Sequence, residues 1–284
     1  MNAPPFPVNP AVGQTWQNWT WNGCTWVANA AAPALRVVVQ TFPASAPYMP
    51  SAGLVSCTVE CFGPGGAGGG VSNPQNVLTY VLCGGGGGSG GYSRKTLQQS
   101  QVLGGVVVTI GVPGLGAPDA DGGNGGVTSF GALCVANGGF GGQHCDANTG
   151  AGVGGQGALA GIGDIAFPGA AGQSGVFENL SAGGWFTASS ALGGWIFGGN
   201  QSFDLPSGTG RAGPAGTDHS GAGGGGAVIN QAGTAAGQFA GGPGAIGYCV
   251  VTEYCWADAS GDPCCDGGSS GARVAIGFGG LIDD

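Results

Sequence analysis

Glycine between residues 63 and 247 constrains this sequence more than any other feature. The 284-residue chain holds 68 glycines, many in runs such as GPGGAGGG from Gly63, CGGGGGSGG from Cys83 and GGPGAIG from Gly241. Glycine loses more conformational freedom on ordering than any other residue, so such runs ordinarily form flexible linkers. Here only 7 % of the residues are charged and 42 % are hydrophobic, which is the opposite of a disordered composition. The sequence therefore predicts an ordered glycine-rich structure.

Polyproline II helices can order these runs. They have three residues per turn, a rise of about 3.1 Å per residue and no internal hydrogen bonds. Without Cβ atoms, several such helices can pack side by side and bond to one another. Glycine recurs with this period at Gly169, Gly172 and Gly175 and at Gly210, Gly213 and Gly216. The repeat is too short for a collagen triple helix, so we expect a bundle of short polyproline II segments.

Strand patterns flank and interrupt the glycine runs. Residues 54–62 alternate, with Val55, Cys57, Val59 and Cys61 on one face. Further segments of strand length, bounded by Gly or Pro, are 36–41, 92–97, 106–110, 127–130, 133–136, 248–254 and 272–278. The sequence predicts an all-β fold, a β-sandwich with glycine-rich polyproline II insertions.

The chain divides into four regions by composition. A tryptophan-rich module occupies residues 1–28, and an alanine- and proline-rich linker occupies residues 29–35. The glycine-rich β domain covers residues 36–254, and a C-terminal extension with one extra strand covers residues 255–284.

The N-terminal module is predicted to be a small β-hairpin. Its tryptophans are Trp16, Trp19, Trp21 and Trp26, and Asn22-Gly23 is typical of a two-residue type I′ turn. Trp19 and Trp21 share one strand face, and Trp26 lies across the turn. The rings either form a carbohydrate platform or docking plug, or are simply the core of a tiny domain.

Charge and apolar patterning exclude several partners. The net charge is −9 with five basic residues, whereas nucleic-acid phosphates require clustered Lys and Arg. No run approaches the roughly 18 apolar residues of a membrane span, and the first residues lack the pattern of a signal peptide. We expect no nucleic-acid partner and no membrane insertion.

Ten cysteines are many for a cytosolic chain without a metal motif. There is no C-x-x-C pair, and the two histidines do not have zinc-site spacing, so we expect no metal site. Disulfides that form outside the cell are the preferred interpretation, including one at Cys264 or Cys265 in the extension, but their connectivity is not readable.

No catalytic or cofactor pattern stands out. The fourteen acidic residues show no spacing that selects a pair for glycoside hydrolysis, so we expect a non-enzymatic protein without a cofactor. The string DADGGN at 119–124 resembles a calcium loop but lacks its distal glutamate, which favours a plain polar turn.

A segment of large aromatic residues at 178–206 is the predicted contact surface. Rings on glycine- and serine-rich loops combine contact area with adaptable polar groups, as recognition loops do. Equally, the rings could plug the end of the bundle or bury against a neighbouring subunit. The candidate contact residues are Trp185, Phe186, Trp195, Phe197 and Phe203.

An ordered set of motifs resembles the glycine-rich domain of bacteriophage tail-fibre and tail-tip proteins. The motifs are CTVECFGPGGAGGG, GGSGGYSRKTL, VVVTIGVPGLG, GGVTSFGALCVANGG and GPGAIGYCVVTEY, and the resemblance covers residues 36–254. The tryptophan-rich string also resembles short modules near one end of phage structural proteins. The resemblance implies a jelly-roll-like sandwich in a virion protein that touches a host surface, with a homo-oligomer, most often a trimer. The cysteines and residues 255–284 depart from the family pattern.

We therefore expect a virion protein, a tail fibre or tail-tip adhesin, made in the host cytoplasm. Its expected partners are other virion proteins and a host cell-surface glycan or outer-membrane protein. One alternative is a head fibre, decoration protein or other purely structural virion component. A second is a secreted glycine-rich protein that resembles ice-binding proteins.

Overall fold

The computed structural model describes residues 9–16, 19–21, 24, 26–28, 35–73, 80–146, 151–175, 177–179, 188–189, 193, 204–205, 209–217, 219–230, 237–256 and 273–276. Within these ranges the fold is all-β, as predicted, with one short helix, α1 (Gln99–Val102). The strands are β1 (Thr15–Trp16), β2 (Trp19–Trp21), β3 (Trp26–Ala28), β4 (Leu35–Phe42), β5 (Ala46–Tyr48), β6 (Leu54–Phe62), β7 (Val71–Asn73), β8 (Tyr80–Cys83), β9 (Tyr92–Gln98), β10 (Val106–Thr109), β11 (Thr128–Phe130), β12 (Cys134–Ala136), β13 (Ile165–Phe167), β14 (Phe177–Asn179), β15 (Ala188–Ser189), β16 (Asp204–Leu205), β17 (Thr209–Arg211), β18 (Val228–Asn230), β19 (Gly237–Phe239), β20 (Tyr248–Trp256) and β21 (Arg273–Ile276).

Two antiparallel sheets share one hydrophobic core. The larger sheet has the order β13-β9-β6-β20-β4-β21, and the smaller has the order β12-β11-β10-β5. One buried cluster takes Val59 and Val251 from the larger sheet and Val108 and Phe130 from the smaller. Fully burying a side chain of this size contributes about 1.5–3 kcal/mol. Of the residues predicted on one face of β6, Cys57, Val59 and Cys61 lie in this core. Val55 does not, because the pairing of β6 with β20 shifts register between Tyr254 and Cys255, and Leu54 is buried instead.

The sandwich core also buries a carboxylate. Glu253 on β20 is fully buried, and its Oε1 accepts hydrogen bonds from the Tyr48 hydroxyl at 2.7 Å and the Ser51 N–H at 3.0 Å. The Ser51 hydroxyl donates to Oε2 at 2.7 Å. Burial, with the hydrogen bond to Glu253, raises the pKa of Tyr48, so the phenol remains a donor. These three hydrogen bonds satisfy the oxygens of the buried side chain and tie β20 to β5 and the segment that follows it.

The C-terminal extension returns to the larger sheet. Strand β21 pairs antiparallel with β4, with Val274 opposite Val39. This strand lies within the segment 272–278, where the extra strand was expected. Cys264 and Cys265 lie outside the described residues.

The N-terminal module is a three-stranded antiparallel sheet, β1-β2-β3, rather than a single hairpin. Trp21 pairs with Trp26, as expected for residues across the turn. The predicted turn residues, Asn22 and Gly23, lie outside the described residues. Trp16 also pairs with Trp19, and the register places all four tryptophan positions on one face of the sheet.

The expected disulfides are not present among the described cysteines. None of these eight cysteines is in a disulfide, and only Cys24 among them is exposed. Cys61 and Cys249, which face each other, have Sγ atoms 3.8 Å apart, whereas an S–S bond is about 2.05 Å long. The seven buried thiols pack as small apolar side chains.

Between β6 and β20 lies the glycine bundle, a set of extended segments outside the β-strands. Its members are residues 63–70, 84–91, 111–117, 120–126, 137–145, 152–158, 169–175, 213–216, 221–227 and 241–247. The backbone N–H and C=O groups of these segments form hydrogen bonds mainly with those of other segments in the bundle.

The central segment, residues 63–70, shows how the bundle is bonded. Its successive N–H groups donate to three different neighbours in rotation and return to the same neighbour after three residues. The donor–acceptor pairs are Gly65–Ala245, Gly68–Gly242, Gly66–Gly88, Gly69–Gly85, Ala67–Gly123 and Gly70–Ala120, all at 2.8–3.0 Å. This rotation is what three residues per turn produces, as predicted for polyproline II segments.

The carbonyl groups of the central segment turn toward three other neighbours. Pro64, Ala67 and Gly70 accept from Gly139, Gly142 and Cys145; Gly66 and Gly69 accept from Gly224 and Ala227; and Gly65 accepts from Gly114. Six segments therefore surround residues 63–70, and adjacent members of this ring also bond to each other. The arrangement is a hexagonal packing of backbones.

Close approach of backbones explains why glycine fills these positions. A Cβ atom added at Gly66 would lie 2.2 Å from the carbonyl oxygen of Phe140, and one at Gly69 would lie 1.9 Å from that of Gln143. A Cβ cannot be accommodated at such distances unless a backbone segment moves.

The bundle has two distinct ends. At its base, the segments continue into sandwich strands β6, β9, β10, β11, β12 and β20. At its distal end, they continue into small sheets that include β7, β8, β18 and β19, with a second apolar cluster around Leu82 and Ile229. The ends of β4 and β20 far from the bundle meet where Leu35 pairs with Trp256. The chain thus has a proximal end, next to the terminal regions, and a distal end.

Replacing Gly66 with alanine should destabilise the protein by about 2–3 kcal/mol or more, because the new methyl group overlaps a fixed backbone carbonyl. Urea unfolding would measure the change. Gly104→Ala is the matched control, since nothing lies within 4 Å of its added Cβ, and it should change stability by less than about 1 kcal/mol. Equal effects of the two substitutions would contradict the close packing.

Candidate recognition surface

Three segments of the bundle, residues 120–126, 138–143 and 152–158, lie side by side as one outer layer. The bonds between them are Gly122–Gly142, Gly125–Gly139, Phe140–Gln156 and Gln143–Val153, donor first, at 2.8–3.0 Å. Residues 63–70 and 84–91 bond to this layer from behind. The other side of the layer faces solvent.

Every third residue of this layer points outward. The residues between them are buried or half-buried, because those positions face the neighbouring backbones. The exposed residues are Asp121, Asn124, Val127, Phe140, Gln143, Val153, Gln156 and Leu159. Along one segment, their spacing is three residues, or about 9 Å. We call this regular array the outer face.

Side-chain oxygens hold the first two segments of the outer face in register. Asp121 Oδ1 accepts from the His144 backbone N–H and lies 2.8 Å from His144 Nδ1. Asn124 Oδ1 accepts from the Gly141 N–H at 2.9 Å. The side-chain hydrogen bond from His144, followed by its backbone N–H, lowers the pKa of Asp121. The array is therefore positioned by its own polar residues as well as by the backbone.

The same contacts decide the interpretation of the DADGGN string. Asp121 and Asn124 bond to the neighbouring segment, and Asp119 Oδ2 lies 3.3 Å from Gln238 Nε2. These oxygens are engaged by protein donors, which favours the polar turn over a calcium loop. In the described ranges, no group of three or more His, Cys, Asp or Glu residues could hold a metal ion.

A family model described as a glycine-rich domain matches residues 41–254. The chain belongs to this glycine-rich domain family. The match begins in β4 and ends in β20, so it contains the bundle and the central strands of the larger sheet. Comparison with curated proteins gives no significant match.

The predicted aromatic contact segment is anchored at the distal end of the glycine-rich domain. Before it, β14 pairs with β8, and after it, β17 pairs with β18. Gly193, within the segment, is buried, and a Cβ there would lie 2.1 Å from the Gly223 carbonyl oxygen. The contact residues Trp185, Phe186, Trp195, Phe197 and Phe203 lie outside the described residues, so their role stays a prediction.

The tryptophan module offers a second surface, on the N-terminal side of the glycine-rich domain. Trp19 is 38 % exposed and Trp21 is half-buried. Trp16 and Trp26 are placed by the strand register alone. Whether the rings dock a partner or form the core of the module stays a prediction.

Sequence reasoning did not identify the outer face. Its signal was present as a period of three in the residues between glycines, namely Asp121-x-x-Asn124-x-x-Val127 and Val153-x-x-Gln156-x-x-Leu159. The period of three residues that predicted the bundle therefore also marks the exposed positions, once it is known which segments are neighbours.

None of the helices in the described ranges is long and apolar enough to cross a membrane.

Replacing Asp121 with asparagine should destabilise the domain by roughly 0.3–1 kcal/mol at pH 7, a small effect because the side chain is 61 % exposed and solvent screens it. The folded pKa of Asp121 is lowered, so its stabilising contribution is present above the unfolded value of about 3.9 and is lost as pH falls through the folded value. The difference from the parent should therefore close below about pH 4.

Urea unfolding at a series of pH values would measure this difference. Equal stability of the parent and Asp121→Asn at pH 7 would contradict the hydrogen bonds assigned to Asp121. A stability difference that stays constant down to pH 2 would contradict them as well.

Proposed function

We propose that this chain is a non-enzymatic phage virion protein, a tail fibre or tail-tip adhesin that contacts the host surface. The observation that carries the proposal is the separation of the two ends of the glycine-rich domain. Leu35, the last residue of the linker, pairs with Trp256, the second residue of the C-terminal extension. The aromatic segment is anchored at the other end, at β8 and β18. Attachment at one end and contact at the other is the arrangement that an adhesin requires.

The bundle supplies rigidity between these ends. Every non-proline N–H from Gly63 to Gly70, and every one from Gly84 to Gly91, donates to another backbone segment. The strands β8 and β18 at the end of such a support are held in fixed positions, and a preorganised surface loses less entropy on binding. This supports a role for the aromatic segment in contacting a host glycan or outer-membrane protein.

Assembly with other virion proteins is assigned to the tryptophan module. Trp19 has an exposed ring there, and aromatic residues are enriched in protein interfaces. By the resemblance to tail fibres, the protein is a homo-oligomer, a trimer, made in the host cytoplasm and carried on the virion.

A purely structural virion component is the second candidate. The exposed residues Leu35 and Trp256 at the proximal end are suited to burial against another protein. In a head fibre or decoration protein, the aromatic segment would also be an assembly contact.

The regular spacing of the outer face is the observation that supports a third candidate, an ice-binding-like protein. An ice-binding protein needs a surface on which side chains repeat at a fixed spacing. A thermal-hysteresis assay of the purified protein would detect that activity, and ordinary freezing behaviour would remove this candidate.

Antibody labelling of intact particles, viewed by electron microscopy, tests the location of the chain. We expect label at the distal end of a tail or fibre. Label on the capsid or along the tail tube would favour the structural candidate, and no label on any particle would contradict a virion role.

The double substitution Trp185→Ala and Trp195→Ala should reduce binding of the purified protein to susceptible cells at least tenfold, because large aromatics dominate contact energies. Flow cytometry with labelled protein would measure binding, and circular dichroism would confirm folding. Leu103→Ala is the matched control, since this exposed side chain lies on the sandwich, and it should bind normally. Normal binding by the double variant would remove the aromatic segment as the contact site.

A further inference from the structure

Two buried cysteines face each other on the central strands of the larger sheet. Cys61 on β6 and Cys249 on β20 are Cα partners in the antiparallel register, and their Sγ atoms are 3.8 Å apart. Both side chains are fully buried. Directly opposed residues on antiparallel strands have Cβ atoms about 4.5–5.5 Å apart, close to the range that a disulfide spans.

The position of this pair in the chain is unusual. Cys61 lies two residues before Gly63, where the bundle begins, and Cys249 lies two residues after Gly247, where it ends. Every segment of the glycine bundle therefore lies between these two cysteines in the sequence. A bond between them would join the two strands that flank the bundle segments at its base.

A third thiol, Cys134 on β12, contacts the same place. Cys61 Sγ lies 3.8 Å from the Cys134 carbonyl oxygen, and Cys134 Sγ lies 4.0 Å from the Val59 carbonyl oxygen. Cys134 belongs to the opposite sheet, so bonding it to Cys61 would link the two layers of the sandwich. Bonding Cys61 to Cys249 links neighbours within one sheet and needs the sulfur atoms to approach by less than about 2 Å.

We propose that Cys61 and Cys249 form a disulfide when the chain folds in an oxidising environment. This inference does not depend on the proposed function. The oxidant is a small-molecule disulfide. The Cys61 thiolate attacks one of its sulfurs and releases one thiol; the Cys249 thiolate then attacks the mixed disulfide and releases the second. Two cysteine S–H bonds are lost and one S–S bond forms, while the oxidant takes up two electrons and two protons.

The folded, reduced protein protects this pair from reaction. The hydrogen bond with Cys134 lowers the pKa of Cys61, but contact with Cys249 and burial outweigh it, so the pKa lies above its ordinary value. A protonated, buried thiol is a poor nucleophile. The bond therefore forms during folding or on transient opening, and once formed it is equally protected from reductants.

The consequence is resistance of the bundle to unfolding. The two cysteines are 188 residues apart, and in the chain-entropy description a cross-link stabilises more as the closed loop lengthens. The glycines inside that loop have especially high freedom in the unfolded chain. A disulfide between Cys61 and Cys249 restricts that freedom in the unfolded chain.

The test is to refold the full chain, denatured and reduced, with a mixture of reduced and oxidised glutathione at pH 8. Remaining thiols are then alkylated, and peptides are mapped by mass spectrometry without reduction. We expect a Cys61–Cys249 linked peptide as the main cross-link. We also expect a melting temperature about 5–15 °C above that of the reduced protein.

Variants sharpen the result. Cys249→Ser should abolish the redox-dependent change in melting temperature, whereas Cys145→Ser, a buried cysteine in the distal cluster, should retain it. Folded wild-type protein in which Cys61 is alkylated, or is linked to Cys134 instead, would overturn the proposal. The wild-type peptide map decides this even where a variant does not fold.

Discussion

Backbone hydrogen bonds between neighbouring extended segments are the interaction on which the structure depends. In an α-helix, each N–H finds its acceptor four residues away, so the helix satisfies itself. In the glycine bundle, successive N–H groups of residues 63–70 turn to three different neighbours, and none bonds within its own segment. No segment can therefore be stable alone. The bundle forms as a unit, with its bonds supplied by residues distant in sequence.

Because no segment is stable alone, another part of the same chain must bring the segments of the bundle together. The sandwich does this at the base, because strands of both its sheets lead into bundle segments. Its apolar core and the buried Glu253, bonded to Tyr48 and Ser51, fix those strands relative to one another. The large entropy lost by ordered glycine is thus offset by a conventional core and by bonds that exclude water from the central segments.

The sequence predicted the elements whose signals are local. The alternation of residues 54–62 matches β6, and the apolar run at 248–254 matches most of β20. The period-three glycines Gly169, Gly172 and Gly175 bond to three residues of one neighbouring segment at the same period. The tryptophan module was predicted as one hairpin, and the pairing of β1 with β2 that makes it three-stranded has no local signal.

Features that depend on neighbours could not be read from the chain. The outer face exists because residues 120–126, 138–143 and 152–158 happen to be adjacent, which no local pattern states. The pairing of Cys61 with Cys249 follows from strand register, and cysteine number and spacing do not give it. The aromatic contact residues were selected by composition, and only the strands that anchor their segment are described.

Amide hydrogen exchange of the folded protein tests the central claim most directly. Residues 63–70 and 84–91 lie outside any helix or strand, yet all their non-proline N–H groups are bonded to other segments. The account predicts that these amides exchange as slowly as those of β6 and β20, by global opening alone. Exchange of the glycine amides at the rate of an unfolded chain, while β6 and β20 stay protected, would show that the runs are linkers and contradict it.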